Sequence, residues 1–559
     1  MKRKIFLLLI AFVLLGAGLA VAQDRVVTSS ISIEQDQLTA GAYTVDEVLQ
    51  AGRQFFAVPY IPADGHGEGD AGPRAAQRAQ FFAQSLETPL AMPFLRMNGI
   101  DSQACFGCHN SAGTYVPPGQ SGRTQKPGGV GGSADFASVL FANPEPFDQR
   151  LSYIVRVPPK SFGTAYAQEL AIEMTSALHK IEAELTAKAA MNVGTPITGD
   201  LKAKGVSFGT LTITCPSAAC PNPVRDTSGL DGISPDLIVR PLQHKGVAAT
   251  LRSFSKSALD FHFSMQPVEV VGVNTDCDAD GLINEMAVDV INPVANNAAL
   301  PVQQSLGNVA ALAAFAGMLR PPVTNSAADI DLTVELGRRT FREIGCDTCH
   351  LPSMTTRRNP LFRIELNQPA AGCPGALSAL GSGAEENTAR HPAVVAATAD
   401  LAAASGSDDL AGGVSASVCP TGFYCINLTN PGLVGDEFLP RLPANLDGTV
   451  TVPMYSDLKR HNLGKFLVQP NPPQTDDAGN PIPDAEWLTT KLWGVADNGP
   501  WLHDGRARTL NEAILMHDGP QGNGPHGDAE AVIDNYQALP AAQQSAVIAF
   551  LESLRVPIP

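Results

Sequence analysis

The sequence predicts a mainly α-helical protein built around two related units, with long loops and a few short strands. Three observations carry this expectation. The pentapeptide Cys-x-x-Cys-His occurs twice, as Cys105-Phe106-Gly107-Cys108-His109 and as Cys346-Asp347-Thr348-Cys349-His350. Apolar residues recur at three- and four-residue spacing in stretches that flank both copies. Among 559 residues, 51 Gly and 44 Pro point to many loops and modest regular structure. The length admits two or three domains with a large core. A hydrophobic content of 44% against 17% charged residues is that of a globular chain.

Each pentapeptide has the spacing that attaches a c-type haem covalently. The two thiols can add to the two vinyl groups of one porphyrin, and the adjacent histidine can reach the iron from one face. With ten Cys and eleven His in the chain, one such pentapeptide arises by chance about a few times in a thousand chains. A redox Cys-x-x-Cys pair is the blander reading. Half a zinc site is another, but it would need four ligands gathered in one cluster. Two covalently bound haems are therefore expected, in two cytochrome c-like domains, residues 23–325 and 326–559.

Taken in order, the chain opens on Met1-Lys2-Arg3-Lys4, an apolar run and Ala20-Val21-Ala22. This reads as a secretory signal over residues 1–22, rather than as an anchor, because the apolar run is short for a full span. The expected location is a bacterial periplasm, with a soluble mature protein. Residues 45–56 and 74–86 have helical periodicity and precede the first motif. Residues 117–132, rich in Gly and Pro, should wrap the haem edge as loop. A long helix is expected over residues 166–191, with Leu170, Met174, Leu178 and Ile181 as its apolar stripe. Residues 206–214 alternate as a short strand does. The segment from 143 to 325 should enlarge the first unit.

Asp276, Asp278 and Asp280, followed by Gly281, open like a calcium loop, although Ala287 stands where the closing glutamate belongs. Calcium and a solvated acidic turn both stay open. Residues 332–344 form an amphipathic pattern leading into the second motif. Residues 375–417, rich in Ala, Gly and Ser, read as a surface insertion. Thr509-Leu510-Asn511-Glu512 is a capping box that starts a helix carrying His517. A last helix is expected from about 541 to 554.

Six cysteines lie outside the motifs: Cys215, Cys220, Cys277, Cys373, Cys419 and Cys425. In an oxidising compartment they could form up to three disulfides. Cys215–Cys220 and Cys419–Cys425 are near enough to close small loops, and Cys373 with Cys419 could tie the insertion. Connectivity is open at this point. The formal net charge of −17 argues against nucleic acid or an anionic membrane as partner. It permits docking of a small basic electron-donor protein.

The run from Lys491 to His517, containing Leu492-Trp493-Gly494, His503-Asp504-Gly505-Arg506 and the helix that follows, resembles the bacterial di-haem cytochrome c peroxidase superfamily. Within it, the chain looks most like the thiol-oxidoreductase-like di-haem oxidoreductases and the rubber oxygenases. Asn98-Gly99-Ile100-Asp101-Ser102-Gln103-Ala104, His262-Phe263-Ser264-Met265-Gln266 and Asp457-Leu458-Lys459-Arg460-His461-Asn462-Leu463-Gly464 fit the same branch. The resemblance implies a six-coordinate C-terminal haem that handles electrons and an N-terminal haem at which peroxide or oxygen reacts. It places the sixth ligand of the former at His517, opposite His350. Two imidazoles hold a lower potential than His and Met. It also assigns His503 and Arg506 to the loop or to a haem propionate, and leaves Met516 to the core.

The distal residues of the first haem are less defined. His262, beside Phe261, Phe263 and Met265, is the candidate pocket residue. Peroxide cleavage also wants an acid–base group, and Glu169 and Glu173 lie in the family's distal region. Without such a group, and with Phe254 and Phe261 as walls, oxygen and an apolar substrate become the better reading. The chain departs from the branch at His461-Asn462-Leu463-Gly464, where a methionine is usual. All three tryptophans, Trp487, Trp493 and Trp501, lie in the C-terminal half. Trp493 is the candidate electron relay, with a core aromatic as the plainer role. Three functions are thus in view: a peroxidase-type oxidoreductase, a dioxygenase cleaving C=C bonds, and an electron-carrying cytochrome with both irons closed.

Overall fold

The computed structural model describes residues 33–57, 60, 104–105, 109, 133–135, 154–159, 161–263, 303–319, 321, 331–366, 419–429, 442–468, 474–497, 499–518 and 526–554. The signal segment, the helix expected at 74–86, Cys108, the 117–132 loop, the acidic loop of Asp276, Asp278 and Asp280, and the 375–417 insertion lie outside them. Among the described residues no helix is long and apolar enough to cross a membrane.

Helices α1 (Gln35–Thr39), α2 (Val45–Ala57), α3 (Thr164–Met191), α4 (Leu251–Phe263) and α5 (Gln303–Gly317) precede the second motif. Then come α6 (Leu332–Glu343), α7 (Leu510–Leu515), α8 (Glu530–Ala538) and α9 (Ala541–Ser553). Strands are short. A three-stranded antiparallel sheet joins β1 (Ile197–Ala203), β2 (Val206–Thr214) and β3 (Val224–Asp226). Of the two-stranded ladders, β4 (Leu361–Glu365) pairs with β5 (Phe423–Asn427), and β6 (Arg460–Asn462) with β7 (Glu486–Leu488).

Two helix crossings repeat one geometry. In the first, α2 meets α5: a Cβ added at Gly52 would lie 1.9 Å from the carbonyl oxygen of Ala311. In the second, α6 meets α9: a Cβ added at Gly337 would lie 1.9 Å from the carbonyl oxygen of Ala546. Glycine is needed at both points because backbone meets backbone there. One turn on, Phe56 packs on Phe315 with ring centres 5.5 Å apart and a 61° tilt, and Phe341 packs on Phe550 at 5.3 Å and 64°. The same two phenylalanines reach the motif histidines, Phe56–His109 at 6.4 Å and Phe341–His350 at 6.3 Å. In each motif the histidine N–H donates to the carbonyl of the first cysteine, His109 N–H to Cys105 O at 2.8 Å and His350 N–H to Cys346 O at 3.0 Å.

Helix α3 is buried on all sides from Thr164 to Ser176, not along one stripe as its periodicity implied. The surrounding elements make up the difference: β1, β2, β4 and α5 pack against it. Its buried polar groups are met across long separations. Gln168 Nε2 donates to Arg363 O at 2.6 Å, and its Oε1 accepts from Leu251 N at 2.7 Å. Strand β2 runs Val206–Thr214. Val206 and Phe208 point inward, Gly209 breaks the alternation at φ +78°, and Leu211 and Ile213 then take the inner face.

Disulfides join Cys215 to Cys220 and Cys419 to Cys425. The second bond corrects the expectation that Cys419 ties the insertion to Cys373. A partner six residues away closes a small loop beside β5 and leaves Cys419 no second bond to form. Among the described residues two main apolar cores result. A large one is built on α1–α5, β1, β2, β4 and β5, and a smaller one on Phe341, Tyr455, Leu510, Tyr536 and Phe550. The segment at Leu492–Trp493 joins them, since Leu492 belongs to the smaller and Trp493 to the larger.

Candidate haem-binding site

Helix α6 delivers the second motif. Asp331 caps its N-terminus, its side chain accepting from Thr333 N at 2.7 Å. At the other end Gly345, at φ +95°, lets the chain turn straight into the one-turn 3-10 helix Cys346–Thr348. The turn leaves Cys346 and Cys349 as thiols outside any disulfide. Burial, and after it Asp347, pushes the Cys346 thiol up to about 12.

Helix α7 delivers the opposing histidine. The capping box is present: Thr509 Oγ1 accepts from Glu512 N, and Glu512 from Thr509 N. This places His517 one residue past the C-cap Met516, which is itself only partly buried rather than core. The His350 and His517 rings face each other with centres 6.5 Å apart and planes at 72°. His350 Nδ1 lies 3.1 Å from Tyr455 O, and His517 Nδ1 lies 2.7 Å from Ala513 O. A carbonyl only accepts, so each Nδ1 carries the proton and each Nε2 keeps a lone pair. Burial, and then the neighbouring His517, lowers His350 to about 4. Burial lowers His517 as well. Both rings are thus held neutral, the form that ligates a metal.

These residues fit a haem. A metal–imidazole bond of about 2 Å, with about 1.1 Å from nitrogen to ring centre, sets two axial rings about 6 Å apart. The observed separation of 6.5 Å leaves room for one iron between the two rings. The thiols one and four residues before His350 complete the set. Phe341 and Tyr455, both stacked edge-on against Phe550, wall the same cleft.

A dyad that the motif spacing does not announce stands at Cys349. Its Sγ lies 3.6 Å from His461 Nδ1, and His461 Nε2 lies 2.7 Å from Asp457 Oδ2. Against the opposing effect of burial, the Asp457 hydrogen bond raises His461 to about 10. The sequence signal for it is the spacing Asp457-x-x-x-His461 within the stretch that resembles the di-haem branch.

At the first motif, Cys105 is a thiol outside any disulfide, and Ser161 Oγ lies 3.0 Å from His109 Nδ1. A serine hydroxyl here takes the place that the Tyr455 carbonyl has at His350. His262 stands near the end of α4, and its side chain lies outside the described residues. Glu169 and Glu173 are both buried in α3 and both engaged in ion pairs. Both carboxylate oxygens of Glu169 accept from Arg363 Nη1 at 2.8 Å. Glu173 Oε1 accepts from Arg357 N at 2.8 Å, and its Oε2 lies 2.5 Å from Lys204 Nζ. The structure brings His350, His517, Cys346 and Cys349 together, and ties the two glutamates to cations instead.

His503 stacks on Trp487 at 3.9 Å between ring centres, and Arg506 Nε donates to Asp504 Oδ2 at 2.6 Å and its Nη1 to Phe466 O at 2.8 Å. The His-Asp-Gly-Arg loop is held by these contacts. Among the described residues no group of three or more His, Cys, Asp or Glu stands ready to hold a metal ion on its own.

Residues 395–554 match the family model described as "Di-haem oxidoreductase, putative peroxidase". The match spans His461, Trp487, Trp493, His503 and His517, and neither Cys-x-x-Cys-His motif, so it stands independently of them. It supports a di-haem oxidoreductase of peroxidase kind. No curated protein and no solved structure matches the chain.

Proposed function

We propose that the chain is an exported, periplasmic di-haem c-type oxidoreductase of peroxidase type. Its two cytochrome c-like units are each closed by one of the Gly–Ala helix crossings. Cys346, Cys349, His350 and His517 would hold the C-terminal haem, and Cys105, Cys108 and His109 would hold the N-terminal one. When bound, a six-coordinate haem carries electrons and one with an open position binds peroxide or oxygen. The observation that carries this reading is the facing His350–His517 pair, two neutral imidazoles with their Nε2 lone pairs unblocked by the Nδ1 hydrogen bonds.

The chain's own residues do the rest. The Tyr455 and Ala513 carbonyls fix the tautomers. Phe341, Tyr455 and Phe550 keep water from the buried face of His350. A small basic electron-donor protein fits the acidic chain as a partner, delivering electrons at the C-terminal unit for use at the N-terminal one. The test is the optical and EPR spectrum of the purified protein with and without peroxide, followed by peroxide turnover with a reduced cytochrome. One low-spin and one high-spin haem, with turnover, supports the reading. Two low-spin haems under all redox conditions would make it an electron carrier.

One observation favours a second reading. Glu169 and Glu173, the two candidate acid–base groups, are both engaged by cations. A pocket without such a group suits oxygen and an apolar substrate, as in a dioxygenase cleaving C=C bonds. Oxygen uptake with polyisoprene and aldehyde products, in the absence of any electron donor, would establish it.

A further inference from the structure

Trp487 is 6% exposed, and its Nε1–H meets no hydrogen-bond acceptor among the described residues. Leaving a buried donor unpaired costs about 1–3 kcal/mol, so such a group in a native fold asks for a partner that the polypeptide does not supply. The surroundings define that partner. His503 stacks on the indole at 3.9 Å and 23°, and the Lys245 ammonium lies over the ring, 4.5 Å from its centre. Lys245 Nζ also donates to Pro483 O and Asp484 O, at 2.9 and 2.8 Å, which fixes the cation in place. An N–H donor beside a fixed positive charge selects an anionic acceptor.

The place is equally specific. Trp487 on β7 stands directly opposite His461 on β6, and His461 touches Cys349 of the second motif. On the other side, His503 O accepts from Val157 N at 2.8 Å, and His244 Nε2 donates to Val157 O at 2.7 Å. Four residues on, Ser161 bonds His109 of the first motif. A chain of contacts therefore links the indole to both haem-attachment motifs.

We propose that Trp487 Nε1–H donates to a propionate carboxylate of a bound haem, with Lys245 supplying the compensating charge. Trp487 is then a positioning residue for the cofactor. This rests on the reading that the chain carries two haems. It adds a role for an indole that neither attaches nor ligates them.

Trp487→Phe keeps an aromatic ring to stack on His503 and removes the N–H together with the second ring of the indole. Haem stoichiometry by pyridine haemochromogen is measured first. Two haems in the variant, a shifted propionate-bending band in its resonance Raman spectrum and a lowered midpoint potential at one haem are expected. Two haems with an unchanged band and unchanged potentials would overturn the proposal while leaving the di-haem reading intact. A wild-type protein without haem would overturn both. Should the variant fail to fold, ultraviolet resonance Raman of the wild-type holoprotein reads the indole directly. A hydrogen-bonded frequency for every buried indole supports the proposal, and a component at the frequency of a buried, unbonded indole overturns it.

Discussion

Gly52 and Gly337 occupy equivalent points in two helix crossings. At each, a Cβ would come within 1.9 Å of an alanine carbonyl oxygen and 2.8 Å of the Cβ of a phenylalanine on the opposing helix. Neither backbone can give way without separating the helices, and that would pull Phe56 or Phe341 from its motif histidine. Gly337→Ala should therefore cost about 3 kcal/mol, the upper part of the range for overpacked sites. A fall in the denaturant midpoint of the haem-loaded protein checks this, and an unchanged midpoint would mean that the crossing is looser than described.

Much of the C-terminal unit was legible in the sequence. The motif, the amphipathic helix before it, the capping box at Thr509 and the histidine eight residues on are local patterns, and local patterns survive into structure. The crossing itself was legible too, but only in retrospect. Gly52-Arg53-Gln54-Phe55-Phe56 and Gly337-Arg338-Arg339-Thr340-Phe341 share Gly-Arg-x-x-Phe. The residues between Phe56 and Cys105, against the four between Phe341 and Cys346, hide the repeat. The engagement of Glu169 was not legible at all. Its partner Arg363 lies 194 positions away, and nothing near either residue announces the pair.

That pair separates structural from catalytic readings of Glu169. Its side chain and that of Arg363 are 0% and 1% exposed, respectively. Breaking a buried pair from one side costs about 3–5 kcal/mol, because a charge stays behind unpaired. Glu169→Gln should lose stability on that scale in chemical denaturation, with turnover per folded molecule changed little. A fall of about a hundredfold or more in turnover, with stability retained, would instead mark an acid–base residue.

The proposed ligation by His350 and His517 predicts a potential. Exchanging an imidazole for a thioether raises the potential of a c-type haem. His517→Met should raise the midpoint of the low-spin haem and leave the other haem unmoved, as read by spectroelectrochemical titration. An unchanged low-spin midpoint would place His517 off the iron.

Stability should also depend on pH, with a definite sign. His350 is depressed from the ordinary histidine value to about 4, and His517 is depressed as well, both first by burial. Between about pH 6.5 and 4 the unfolded chain takes up a proton at His350 and the folded protein does not, and His517, depressed as well, acts in the same direction. Their contribution is fully present above pH 6.5 and is lost as pH falls through that window. The urea midpoint should decline from pH 7 to pH 4 in the wild-type protein and decline less in His517→Met. Equal slopes in the two proteins would contradict the assignment of buried, neutral rings.

If His350 and His517 close one iron from both sides, EPR of the ferric protein beside His517→Gly will show it. A low-spin bis-imidazole signal is expected in the wild type and a high-spin signal in its place in the variant, with two haems still attached in each. A wild type lacking that low-spin signal, or a variant that keeps it, would rule the shared ligation out.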